Sequence, residues 1–458
     1  VTKDLRCTRI KGFFAEFTLS AAIGLGMTAI GIGFALATPL AAQTIAIEGA
    51  RVHTMVGAPI NDATVLIRDG VIVAVGTDVA VPADARRIDA RGMIVTPGFF
   101  ESSSNIGLVE VGAVSGTRDF SMTSWQGDDA DYVAAAFNVS DGINPNSIVI
   151  PVNRIGGVTT AVSKPEGGLI SGQGVVIDLA GGTVGDMLVR SPVAMFATLG
   201  ESSQSAGGGA RAGATMRLRQ VLDDARFYAS NRESFNRGAS RELAAGRLDL
   251  EALQPVLAGE IPLVVDAHRA SDIRTAIRIA DEYGVRLILS GATEGWMLAD
   301  EIAAAGVPVI VKVLQNLPAN FERLGARYDN AAILRSAGVT VAISSGDTHN
   351  ARNIKQEAGN AVAYGMPHEE ALRAITLYPA RIWGVADTHG SVEVGKVANL
   401  VVWDGDPLEL LTPVEAVIVA GEQVPMTSRQ TELRDRYRDP AERRRAYERR
   451  PREAPRPG

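Results

Sequence analysis

Two histidines, His268 and His349, follow short apolar runs of strand character at residues 261–266 and 339–343. Asp347 stands two residues before His349, and Glu101 and Glu294 follow other strand-like runs. Imidazoles and carboxylates at strand ends are the ligand types that hold a divalent cation and make hydroxide available near neutral pH. On residue type, Glu101, His268, Asp347 and His349 form a candidate catalytic set, with His268 and Asp347 as its metal ligands. Ser103 is a further candidate, a hydroxyl nucleophile with His268 as base and Asp347 as orienter. No Gly-x-Ser-x-Gly elbow supports that role. The remaining histidines, His53, His368 and His389, read as surface or packing residues. Lys164 precedes Pro165 and a glycine-rich loop, and reads as a loop residue. The run from Gly167 to Gly174 has neither the Gly-Lys-Ser/Thr ending of a phosphate loop nor dinucleotide spacing.

These groups need elements to carry them. Residues 43–96 show short alternating strands at 45–47, 52–55, 63–67 and 71–75, with turns at Asp69-Gly70 and Pro82. From 97 to 387 short apolar runs alternate with helical stretches such as 272–283 and 294–305. That alternation predicts parallel β/α units, and its length suits a (β/α)8 barrel. Residues 388–425 return to strands at 400–403 and 414–419. The Ser/Gly/Ala stretch 202–214 reads as a flexible insertion.

The chain has 458 residues, 46% hydrophobic and 21% charged, with 48 glycines, 5% aromatics and a net charge of -7. Sparse aromatics and an acidic balance argue against nucleic-acid binding. Residues 1–42 carry Lys3, Arg6, Arg9 and Lys11, then a long apolar run and small residues before Gln43, the pattern of a signal peptide. An exported protein, periplasmic or secreted, is expected, with membrane contact only if that segment stays uncleaved. The single cysteine, Cys7, lies inside it, which leaves no thiol ligand or disulfide for the rest of the chain. At the other end, 426–458 form an Arg/Pro-rich tail, read as solvated and partly helical or disordered.

The run "DATVLIRDGVIVAVG" followed by "IDARGMIVTPGFFES" resembles the opening of amidohydrolases, and "GSVEVGKVANLVVWDGDPLE" resembles their closing segment. The middle, with "VVDAHRASDIRTAIRIADEYG" and "DTHNARNIKQEAGNAVAYGMPHEEALRAITLYPARIWGV", is similar to the imidazolonepropionase-like branch. The resemblance implies a (β/α)8 barrel, 97–387, beside a small β-sandwich made of 43–96 and 388–425. It also implies hydrolysis of a non-peptide C–N bond by activated water, in a cyclic amide or a small dipeptide-like substrate, and a homo-oligomer.

The metal implied is zinc foremost, yet the ligand motif is degenerate. Ser103 and Asn105 occupy the His-x-His positions. His268 keeps the strand-five ligand. No histidine stands near Ser290 or Gly291, and Asp347 falls one or two places past the usual aspartate. The other reading is therefore a barrel without cofactor or catalysis, retained to bind a small molecule or a protein. Asn399 stands where many relatives carry Asp, a change for which the sequence offers no physical reason.

Overall fold

A computed structural model describes residues 44–122, 132–315 and 317–438. The segment read as a signal peptide lies outside the described residues, as does the tail from 439 onward. The chain opens with β1 (Ile45–Val52), β2 (Ile60–Arg68), β3 (Val71–Gly76), β4 (Arg86–Asp89) and β5 (Ile94–Pro97). Eight barrel strands follow: β6 (Phe99–Ser104), β7 (Val158–Ser163), β8 (Ile170–Asp178), β9 (Leu188–Thr198), β10 (Leu263–Ala267), β11 (Leu287–Gly291), β12 (Val309–Val311) and β13 (Val341–Ile343). The chain then returns through β14 (Leu400–Trp403), β15 (Val414–Val419) and β16 (Glu422–Gln423).

The first and last groups join in one folded sheet, ordered β16-β15-β14-β5-β1-β2-β3, with β4 also on β1. β14 lies antiparallel to β5, from Leu400 opposite Pro97 to Trp403 opposite Ile94. Strand alternation gives β14 two apolar faces. Leu400 and Val402 enter the sheet's own core with Ile45, Ile47, Val65 and Ile67, whereas Val401 and Trp403 enter the core around the barrel. Trp403 stacks on Phe99 at 4.9 Å and donates its indole N–H to Thr96 Oγ1 at 2.9 Å.

The barrel expected from the alternation is present. Its strands pair in chain order from β6 to β13. Its third strand departs from the parallel repeat: β8 runs antiparallel to both β7 and β9. Residues 164–169, the whole link between β7 and β8, are too few for a crossover, which needs a dozen residues or more. Val162, Val176, Val264, Ile288, Ile310 and Ala342 fill the lumen.

The ends of this run, β6 and β13, are clamped by one side chain. Glu101 is fully buried. One of its oxygens accepts from the Ser103 backbone N–H at 3.0 Å and from the Ser344 hydroxyl. The other accepts from the backbone N–H and hydroxyl of Ser345, at 2.9 and 2.6 Å. Burial raises the pKa of this carboxyl, and the four donors oppose that rise.

The stretch 202–214 is not a flexible insertion. It forms two 3-10 turns, Glu201–Ser203 and Ser205–Gly207, and enters the 26-residue helix Arg211–Asn236. Its glycines let backbone pack on backbone: a Cβ at Gly207 would overlap the Ala214 nitrogen. The tail begins as the helix Arg429–Arg438, which buries no residue.

Asn399 acquires a physical reason. Its Nδ2 donates to Asp178 Oδ1 at 2.8 Å and to Thr160 Oγ1 at 3.1 Å, and its Oδ1 accepts from the Ala420 N–H at 2.7 Å. An aspartate there would set a second carboxylate against buried Asp178. Asn399→Asp is expected to lower the unfolding free energy by about 3 kcal/mol, and Asp178→Asn in the same chain to restore most of it. Urea melts followed by circular dichroism read both, and a single variant as stable as the parent would refute the assignment. Glu101→Gln turns an acceptor into a donor facing the seam's own donors. It should cost about 1–3 kcal/mol in the same melts; an unchanged midpoint would mean that the seam closes without it.

Candidate functional site

The site is a layer of the barrel. Lys164, Asp266, Ser290, Lys312 and Ser344 each stand two residues beyond the lumen-filling Val162, Val264, Ile288, Ile310 and Ala342, and so continue the same face of their strands. With Ser103, His268, Thr293 and Arg323 they line a cavity of about 70 Å3 at the C-terminal ends of the strands. Ser103 reaches it because the β6–β7 register shifts between Glu101 and Ser104. A larger open recess of about 980 Å3 lies at the opposite end, where Pro262, Leu287, Pro308 and Thr340 begin or precede their strands. Barrel chemistry is built at the C-terminal ends, and only the smaller cavity holds an acid–base pair.

That pair is Asp266 and His268. Asp266 Oδ1 lies 3.2 Å from His268 Nε2, and Asp266 Oδ2 accepts from the Ser290 hydroxyl at 3.1 Å. Burial works to raise the Asp266 pKa. His268, Lys164 and Ser290 outweigh it and bring the group to about 2, so it is a carboxylate at neutral pH. The cavity-facing side of Asp266 remains open, with 43% of the side chain accessible. His268 Nδ1 is 2.8 Å from Thr293 Oγ1, and Nε2 is 2.8 Å from Arg323 Nη2. Nε2 therefore faces a donor, the Arg323 guanidinium, and an acceptor, Asp266: unprotonated it accepts from Arg323, and protonated it donates to Asp266. Gly291 makes room for the ring: a Cβ there would press on His268 Cε1.

A divalent cation does not suit these residues. Among the described residues no three His, Cys, Asp or Glu side chains converge. Among the described residues only Asp266 and His268 bring such groups to the cavity lining, and Lys164, Lys312 and Arg323 bring positive charge to the same space. Asn105, at the second position of the lost His pair, turns its amide to the Lys164 carbonyl at 3.0 Å.

Of the four residues grouped by type, the cavity receives His268 alone. Glu101 is spent on the barrel seam, with donors on both of its oxygens. Asp347 is exposed and accepts from the backbone N–H groups of His349 and Asn350 at 3.0 and 3.2 Å, which makes it a turn cap and not a ligand. His349 directs Nε2 to the Glu110 carbonyl at 3.1 Å. Glu294 caps a helix start through the Ala270 N–H at 2.9 Å. Lys164, read as a loop residue, lines the cavity and pairs with Glu166 at 3.0 Å. Asp266, Lys312 and Arg323 were not legible as site residues. The Asp-x-His spacing and a lysine directly after the run 307–311 carried a signal for the first two. Arg323 lies in a segment without periodicity and carried none.

Residues 256–424 match the model of the amidohydrolase family. An amidohydrolase structure from Thermotoga maritima MSB8 is 30% identical, with a TM-score of 0.75 over 83% of this chain and 99% of that one. The amidohydrolase tasK of Hapsidospora irregularis is 23% identical across 75% of this chain, and an imidazolonepropionase of Pseudomonas aeruginosa is 36% identical across 25%. The matches span only 38% and 30% of those two proteins. With the barrel, the composite sheet and these likenesses together, the chain belongs to the amidohydrolase superfamily.

Proposed function

We propose that the protein hydrolyses a C–N bond in a small anionic substrate, with cationic side chains doing the electrostatic work at the barrel mouth. The observation that carries this reading is the Asp266–His268 pair facing Arg323 and Lys164 in one cavity. Among the described residues Arg323 also has no partner for its buried Nε, a donor that an anionic substrate would satisfy. When Arg323 turns from His268 to the substrate, Nε2 is free to take a proton from a water beside Asp266. The hydroxide adds to the carbonyl carbon, and Lys164 and Arg323 stabilise the oxyanion. Asp266 stabilises the charged ring, which then protonates the leaving nitrogen as the C–N bond breaks. The products are an acid and an amine.

A second reading is retention of the barrel as a binding module. It is favoured because both ring nitrogens of His268 are already engaged, which leaves neither as a free base for water.

Three measurements decide. Elemental analysis of protein exposed to zinc and dialysed should find far less than one equivalent. A panel of cyclic amides and N-acyl amino acids should be turned over with chelator present. Asp266→Asn should lower kcat/KM by about 10²-fold or more, and Arg323→Gln should raise KM for anionic members. Turnover that vanishes with chelator and returns with zinc would overturn the cationic reading. Binding of the same compounds with no turnover would favour the binding module.

A further inference from the structure

Lysine is scarce in this chain. Six stand among its 45 basic residues, and from residue 44 onward there are four: Lys164, Lys312, Lys355 and Lys396. The rest of the basic side chains are arginines, which stay protonated in proteins; a lysine can give up its proton and act as a nucleophile. Two of the four have structural uses. Lys355 lies over the Trp403 ring and donates to the Thr412 carbonyl, and Lys396 pairs with Glu393 at 2.8 Å. The other two line the same cavity.

Within that cavity the two differ. Lys164 has a carboxylate partner, Glu166. Lys312 has none at ion-pair distance among the described residues; its one hydrogen bond there runs from Nζ to the Gly346 carbonyl, at 3.3 Å. Its stem crosses Gly346, whose φ is +57° and where a Cβ would overlap Lys312 Cε. Glu357 fixes the chain two residues on by accepting from the Leu314 N–H at 2.8 Å. Burial lowers the Lys312 pKa and Lys164 lowers it further, against Asp266, Glu101 and Glu166, which raise it. An amine held in this way, beside a second cation, is a recognised form of activated nucleophile. The hydrolysis proposed above makes no use of it.

We propose that Lys312 captures carbonyl compounds: its Nζ forms an imine with a small aldehyde or ketone that carries a carboxylate, and Arg323 and Lys164 hold the anionic end. The Nζ lone pair adds to the carbonyl carbon, the C=O π pair moves to oxygen, and that oxygen takes a proton. The carbinolamine then loses water as the nitrogen lone pair forms the C=N bond. One carbonyl and one ammonium give one protonated imine and one water, with no net oxidation. The cavity holds about two waters' worth of volume, which limits the ligand to about three carbons unless the Arg323 segment moves.

The test is reductive trapping of the full chain with glyoxylate and sodium cyanoborohydride at neutral pH, followed by intact mass and peptide mapping. One carboxymethyl group per chain is expected on Lys312, gained at least about tenfold faster than on Lys396. Arg323→Gln should slow trapping by glyoxylate more than trapping by neutral glycolaldehyde, and Lys312→Arg should abolish the fast phase with the circular dichroism unchanged. Labelling spread over the lysines according to exposure, or labelling of Lys164 before Lys312, overturns the proposal. The map is read on the unmutated protein, so a variant that fails to fold does not blur the result. It needs no turnover, so its outcome is independent of the hydrolysis assays.

Discussion

A carboxylate taken wholly out of water must be met by donors or it destabilises the fold. Glu101 meets that demand with groups from both ends of the barrel sheet, and the meeting is what closes the ring. The consequences reach the cavity directly. Ser345 donates to Glu101, Gly346 follows Ser345, and the Lys312 stem lies across Gly346. Ser103, whose N–H donates to the same carboxylate, and Ser344 line the cavity on either side of the seam. The clamp and the floor of the site are therefore one structure, and Glu101 is unavailable for chemistry because it is fully used in holding that structure together.

The electrostatics of the cavity follow from which residue ends each strand. Lys164 and Lys312 come from two strand ends and Arg323 from the segment after β12, and they converge at the C-terminal ends of the strands, where barrels carry their chemistry. Charge of the same sign as a divalent cation already occupies that space, and Asp266 with His268 offers too few donors to offset it. The same concentration of positive charge suits an anion. Among the described residues the Nε of Arg323 has no partner and Lys312 no carboxylate at ion-pair distance, and both point to that class of ligand.

The composite sheet is tied to the barrel by side chains whose two-sidedness is plain in the strand pattern. β14 sends Leu400 and Val402 one way and Val401 and Trp403 the other, so a one-residue shift would exchange its two core faces and turn Trp403 into the space now filled by Leu400 and Val402. Asn399, just before it, fastens the same strand to Asp178 of β8 through an amide that both donates and accepts. Only a neutral side chain of that shape does this beside a buried carboxylate, and so Asn stands in place of Asp.

The chain by itself determined the class of fold. Apolar runs of strand length, alternating with helical stretches and flanked by strand-rich ends, suffice because a barrel and its accompanying sheet are set by period and length, and both are local properties. His268 was legible for the same reason, as a histidine directly after an apolar strand. Tertiary structure alone decided how the site is composed. Glu101, Asp347 and His349 have the right types and even the right neighbourhoods, but hydrogen bonds to residues far along the chain or within a turn draw them off the cavity. The antiparallel course of β8 and the approach of Arg323 to His268 also depend on contacts between distant segments. Metal ligation needs several groups at one point in space, and linear spacing carries no measure of that convergence.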